Sequence, residues 1–240
     1  MTHWDLAGAS VTGPGHPDNQ DAFGWVELDG GVCLIVSDGA GSAPRAAEGA
    51  ALAVETARSS ILLWDHESIE EALVGVLASC VAALGGDKEM ACTLSVALWC
   101  GGELGMLCVG DSPVFVVRKC LAEGDEVVGG LGEFGPVEHY EGGEHAEFVN
   151  ETTFLTSGDP MARIEMIEEG SVRAVIVASD GLTHVVSEGG KGVAGFFRPL
   201  VERFEAGSLV VSELLEYMNE KKLLGDDTTL VIAGRTDHAR

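Results

Sequence analysis

Positive charge is scarce in this sequence. Fourteen Lys and Arg residues face 39 acids, for a formal net charge of −25. A surface of that sign repels the phosphate backbone of a nucleic acid and the headgroups of an anionic membrane, so neither is expected as a partner. Long apolar runs are missing too. No uncharged stretch approaches the roughly 18 residues of a spanning helix, and the first ten residues lack the basic start and apolar core of a signal peptide. A soluble protein working in the cytoplasm is the expectation. Cysteines are few: Cys33, Cys80, Cys92, Cys100, Cys108 and Cys120 mostly lie inside apolar runs, with no CxxC pair and no Cys/His ligand spacing. Buried reduced thiols suit them better than a disulfide framework or a zinc site. The four Trp are scattered without base-stacking spacing and read as core or edge residues.

What the sequence does contain is apolar bulk. Hydrophobic residues make up 46% of 240, ample for the core of one domain spanning 1–240. Short β-branched runs recur: "GVCLIVSDG", "ACTLSVALWC", "ELGMLCVGDS", "PVFVVRKC", "VRAVIVASDG" and "TTLVIAGR". Each is too short for a helix and most are bounded by Gly or Asp, so strands are expected. Residues 43–84 have a different texture, rich in Ala and Leu. Ser42 and Pro44 offer a helix start, "WDHES" a break and Gly85-Gly86 a stop, which together predict two helices. A second helical region covers about 193–222, broken at "EAGS", with the amphipathic spacing of "LVVSELLEYMNEKK" at its end. Strands in runs, separated by paired helices, argue for antiparallel sheets with helices packed outside them, an α+β fold. The segment 122–148, rich in Gly and Glu, reads as a surface flap or long loop, within a flap region of about 120–153.

The acids are not spread evenly over this frame. Asp38, Asp111 and Asp180 follow the last residues of apolar runs, in "LIVSDG", "MLCVGDS" and "VIVASDG", while Asp226 and Asp227 precede one in "GDDTTLVIA". Asp21 opens the strand-like stretch after "GHPDNQ". In an antiparallel sheet the end of one strand lies beside the start of its neighbour, so all these places can meet at one edge. Each Asp alone is ordinary turn or cap chemistry. Together they repel, at about 4 kcal/mol for two unit charges roughly 4 Å apart at an effective dielectric near 20. With Arg and Lys scarce in these stretches, raised carboxyl pKa values or hard divalent cations are the available remedies.

The motifs "HPDNQDAF", "VSDGAGS", "ACTLSVAL", "VGDSPVFVVR", "FLTSGDP", "VASDGL" and "GDDTTLVI", in this order, resemble the metal-dependent protein serine/threonine phosphatases of the PP2C type, in their bacterial branch. The resemblance runs over nearly the whole chain. It implies a four-layer α-β-β-α sandwich, two antiparallel sheets flanked by helix pairs, and hydrolysis of phosphoserine and phosphothreonine in proteins. It also implies two Mg2+ or Mn2+ ions, with a third in bacterial members. Asp38 is similar to the carboxylate that bridges two ions, with the Gly39 carbonyl assisting. Asp180 and Asp226 resemble the remaining ligands, Asp21 the acid that steadies the attacking water, and Asp111 the acid that with Asp180 holds the third ion. Asp227 stands where the family usually has Asn, and Thr93 matches a structural strand residue.

The departures carry their own expectations. The family's phosphate-holding Arg falls at His16, which can still donate to a phosphate oxygen but is neither permanently charged nor bidentate. Gln20 replaces a Glu, Pro113 an Arg, and Ala40 stands where some animal members have a His. The resemblance implies a catalytic set of Asp38, Asp180, Asp226 and His16, a phosphoprotein substrate, an opposing Ser/Thr protein kinase and a monomeric enzyme. The acidic flap would favour phosphosites with basic neighbours. The competing reading is a catalytically weak or inactive metal-binding regulatory module. His184 reads as the start of a helical region, and His139 and His145 as solvated loop residues.

Overall fold

Strand β3 (Gly31–Ser37) is buried along its whole length, and its alternation sorts the side chains into two cores. Val32, Leu34 and Val36 point to one side, Cys33 and Ile35 to the other. A strand buried on both faces must lie in the middle of a layered fold, and its neighbours β4 (Leu94–Cys100) and β5 (Glu103–Val109) divide their side chains the same way. The computed structural model describes residues 3–119, 134–142, 152–187 and 192–236.

Ten strands form two antiparallel sheets of five. One has the order β2 (Ala22–Leu28), β3, β4, β5, β8 (Ala162–Glu168). The other runs β1 (His3–Val11), β10 (Thr228–Thr236), β9 (Val172–Ala178), β6 (Val114–Lys119), β7 (Phe134–Tyr140). Between the sheets lies a core of Val32, Leu34, Trp99, Met106, Val116, Val177 and Val231, where Trp4 meets Trp99 edge-on at 4.7 Å. Outside the first sheet, Ile35, Val96 and Leu107 pack on Ala53, Ala57, Leu73 and Val76 of α1 (Ala46–Leu62) and α2 (Ile69–Leu84). Outside the second, Phe115, Ile176 and Ile232 pack on Leu182, Phe197, Val201 and Leu215. These come from α3 (Asp180–Ser187), α4 (Gly192–Glu205) and α5 (Val211–Glu220). The result is the expected four-layer sandwich, except that α3 makes the second helical layer three helices instead of a pair.

Local chemistry explains the helix ends. Ser68 caps α2, its hydroxyl accepting from the Glu71 N–H at 3.2 Å, and Gly85 closes the helix in the left-handed conformation at φ 59°. Helix α1 begins later than Pro44 suggests: Arg45 is its N-cap, at φ −122°, and the Arg45 N–H donates to the Glu89 carbonyl at 2.8 Å. No helix among the described residues is long and apolar enough to cross a membrane. Cys33, Cys80, Cys92, Cys100 and Cys108 are free thiols, all buried but Cys100, as expected; Cys120 lies outside the described residues. Of the stretch expected to be a flap, 134–140 is strand β7, paired with β6; 120–133 and 143–151 lie outside the described residues. His139 therefore sits on a strand, stacked on Phe115 at 5.0 Å, and is no loop residue; His145 lies outside the described residues.

Candidate functional site

The register of the two sheets brings the acids to one edge. Ala22 faces Ser37 across β2 and β3, placing Asp21 beside Asp38; Leu94 faces Val109, Val114 faces Val177, and Ala178 faces Leu230. Val11 faces Thr228 on the far side of β10. Each pair has one strand ending where its partner begins, so the connections carrying Asp38, Asp111, Asp180 and Asp226 all emerge at the same end. There Asp38, Gly39, Asp111, Asp180 and Asp226 line a single open cleft. Among the described residues its other walls are Gln20, the 40–42 turn, Thr93, Thr152, Phe154 and Asp227, with no Lys, Arg or His.

Each acid is held by identifiable contacts. The Asp38 N–H donates to Thr93 Oγ1 at 3.0 Å, and the Thr93 N–H returns a bond to the Asp38 carbonyl at 2.8 Å. Thr93 Oγ1 lies 2.8 Å from Ser112 Oγ, which ties β3 to the turn carrying Asp111. Thr152 donates to Asp111 Oδ2 at 2.7 Å. Asp226 Oδ1 accepts from the Asp227 N–H at 2.7 Å.

Asp227 proves to be a clamp. Its Oδ1 accepts from the Gly13 N–H at 2.7 Å and its Oδ2 from the Gln20 N–H at 2.8 Å, so one carboxylate closes the loop that holds "GPGHPDNQ". That use was invisible in the sequence, where the partners stand more than 200 positions away. Charge-assisted bonds to backbone N–H groups are about twice as strong as neutral ones, which suits a residue 4% exposed.

Asp21 sits behind the cleft. Its Oδ2 accepts from Thr229 Oγ1 at 2.8 Å, while Oδ1 is buried with no hydrogen-bond partner among the described residues. Burial pushes its carboxyl up to about 6; the Ser179 and Thr229 hydroxyls oppose this and the Asp227 charge adds to it. Asp38 is raised well above the ordinary carboxylate range, first by burial and then by the charges of Asp21, Asp180 and Asp111. Negative charge is thus concentrated here, with no Lys or Arg among the described residues that line the cleft.

His16 stands at the rim, beside one of the cleft acids. It does not line the cleft; its Nδ1 lies 3.4 Å from Asp226 Oδ1 and 3.2 Å from Asp227 Oδ1 at the rim. His184 falls on α3. Thr152, Phe154 and the hydroxyl belt of Ser37, Thr93, Ser112, Ser179 and Thr229 were not singled out from the sequence as a site, since buried Ser and Thr leave no pattern of their own.

A glycine at the start of α3 allows this packing. A Cβ at Gly181 would strike the Asp227 carbonyl and the Thr228 hydroxyl, whereas one at Gly195, on α4, meets nothing within 4 Å. Gly181→Ala is expected to cost about 1–3 kcal/mol, read as a lower Tm, while Gly195→Ala should leave Tm unchanged or raise it by up to about 1 kcal/mol of stability. Equal Tm values would mean the Asp227 strand can retreat.

Comparison with known proteins points one way. No curated protein sequence matches this chain. Solved structures do: the serine/threonine phosphatase Stp1 of Staphylococcus aureus superposes with a TM-score of 0.69 at 14% identity, covering 97% of this chain and 95% of that one. The Mycobacterium tuberculosis serine/threonine phosphatase PstP/Ppp gives 0.62 at 18% identity, with 98% and 99% covered. The catalytic domain of PstP in complex with two manganese ions gives 0.60 at 18%, with 99% and 100% covered. At such identities these likenesses establish the fold. The sequence profile of protein phosphatase 2C adds to them by matching residues 7–219, from within β1 to the end of α5, and the chain therefore belongs to the protein phosphatase 2C family.

Proposed function

We propose that this protein hydrolyses phosphoserine and phosphothreonine in other proteins, using divalent cations held in the acidic cleft. The observation that carries the reading is the meeting of Asp38, Asp111, Asp180 and Asp226 in one cleft with no basic side chain among the described residues of its walls. The donors fit hard cations: they are oxygens, they are preoriented by backbone and hydroxyl contacts, and the unpaired Oδ1 of Asp21 marks charge that protein groups do not satisfy.

Asp38, Asp180, Asp226 and the Gly39 carbonyl would hold two Mg2+ or Mn2+ ions, and Asp111 with Asp180 a third. Bound there, such ions lower the pKa of a water and offset charge on phosphoryl oxygens. The chain's own groups do the positioning. Thr93 fixes the Asp38 backbone, Thr152 orients Asp111, and Asp21 Oδ1 is the buried acceptor left for a hydrogen of the attacking water. A thiol nucleophile is disfavoured, because burial pushes Cys92, the cysteine beside Asp38, up to about 11 and keeps it protonated at neutral pH.

The substrates are phosphoproteins modified by a Ser/Thr kinase, in the cytoplasm, and the surplus of acids on this chain favours sites with basic neighbours. Phosphate release from p-nitrophenyl phosphate and from phosphopeptides tests this. Release is expected with Mn2+, is lost with chelator, and is faster on peptides with basic flanks than acidic ones. Binding of Mn2+ with no release from any substrate would instead make the protein a metal-binding regulatory module.

A further inference from the structure

The loop between β1 and β2 brings an imidazole nitrogen to the acidic edge. His16, Asp226 and Asp227 each offer one ligand atom, and the three atoms lie within 4.8 Å of one another. His16 Nδ1 stands 3.4 Å from Asp226 Oδ1 and 3.2 Å from Asp227 Oδ1, and the ring makes a hydrogen bond to neither. Two donors about 2.1 Å from one ion lie about 3.0 Å apart at a right angle and about 3.4 Å apart at the tetrahedral angle. Both separations fall in that interval.

The two oxygens are already oriented, each by one backbone N–H: Gly13 donates to Asp227 Oδ1 and Asp227 to Asp226 Oδ1, both at 2.7 Å. A carboxylate oxygen has two lone pairs, so each keeps one for a cation. The histidine is fixed by the same device. Its backbone N–H donates to the Gly13 carbonyl at 3.3 Å, closing the turn that Asp227 clamps. His16 and Asp226 are 33% and 48% exposed, which leaves open positions for water or a phosphate oxygen. At the same edge the buried Asp21 Oδ1 has no hydrogen-bond partner among the described residues.

We infer that His16 is a metal ligand, its Nδ1 completing an N/O/O donor set with Asp226 and Asp227 at the rim of the cleft. This rests on the reading of the acidic cleft as a divalent-cation site and adds a selectivity to it. Carboxylates alone suit Mg2+, whereas an imidazole strengthens binding of transition ions such as Mn2+ and contributes little for Mg2+. His16 thus tunes which ion the enzyme carries, in place of gripping phosphate.

Pulsed electron paramagnetic resonance of Mn2+ bound to the intact protein tests the assignment, with calorimetric titration of Mn2+ and Mg2+ alongside. Wild type should show 14N modulation from a directly bound imidazole, absent in His16→Ala and His16→Gln. Both variants should lose about tenfold in Mn2+ affinity, with less than a twofold change for Mg2+. Bound Mn2+ with no 14N modulation in wild type, or modulation that survives in both variants, overturns the ligand role while leaving the acidic site standing. Failure of wild type to bind Mn2+ at all overturns both readings.

Discussion

Asp38→Asn is expected to cut phosphate release by more than about a hundredfold. Residues that merely orient a metal ligand cost about 10–100-fold when removed, and Asp38 is placed to do more, at the centre of the cleft and facing Asp21, Asp111 and Asp180. Asp180→Asn should behave similarly. The same substitution carries an opposite effect on the fold. Asp38 sits among three other carboxylates, with no basic residue among the described residues of the lining, so neutralising it relieves repulsion. In chelator, Asp38→Asn should melt higher than wild type, by about 2–4 °C for each kcal/mol relieved, while losing most of the gain that Mn2+ gives the wild type. An inactive variant that melts lower than wild type in chelator would show that Asp38 is needed for the fold, and its inactivity would say nothing about catalysis.

In the chelated protein, stability should fall as pH rises from about 4 to above 6. Asp21 has its carboxyl pushed up to about 6 in the folded state, against an ordinary value of 3.8, and Asp38 is raised as well. Between those values the folded chain keeps protons that the unfolded chain has released, so each step up in pH favours unfolding. Below the ordinary carboxylate range both states are protonated and the difference vanishes. Asp21 alone accounts for a loss on the order of 2–3 kcal/mol across the window. Cations bind the deprotonated carboxylates, so the rise in Tm given by Mn2+ should be larger at pH 7.5 than at pH 5. Thermal melts of wild type and Asp21→Asn in chelator separate this from the general repulsion of an acidic chain: the variant should show a flatter fall. Parallel slopes would remove Asp21 as the source.

How far these features could be read in advance depended on how much of each strand is buried. β3, β4, β5, β6, β9 and β10 have apolar residues on both faces and announce themselves as runs. β1 did not, because "HWDLAGASV" spends small residues where the opposing sheet fills the space: a Cβ at Gly8 would stand 3.2 Å from the Phe23 ring and 3.3 Å from Trp25. β8, "ARIEMIE", is an edge strand whose alternating charges kept it from reading as core, which is how edges avoid pairing with other molecules. β7 was hidden in a Gly- and Glu-rich stretch.

The acids at the cleft were legible for a related reason. Asp38, Asp111 and Asp180 each end an apolar run, so their position at a common edge follows from antiparallel pairing. The Asp227 clamp and the Thr152–Asp111 bond were not, since they join segments 207–214 and 41 positions apart with no spacing to betray them. The contact of His16 with Asp226 and Asp227 belongs with these, and its place at the rim is a finding of the fold.

The neighbour relations of β10 bear on how such a protein is born. The last strand described lies inside its sheet, between β1, the first, and β9. While a ribosome still holds residues 228–236, β1 has no partner on that side, the two aspartates ahead of the strand have no anchored loop to close, and no cleft exists. The acidic cleft therefore closes in one step, when residues 228–236 take their place between β1 and β9, and a chain stopped before them carries most of the acids without bringing them together.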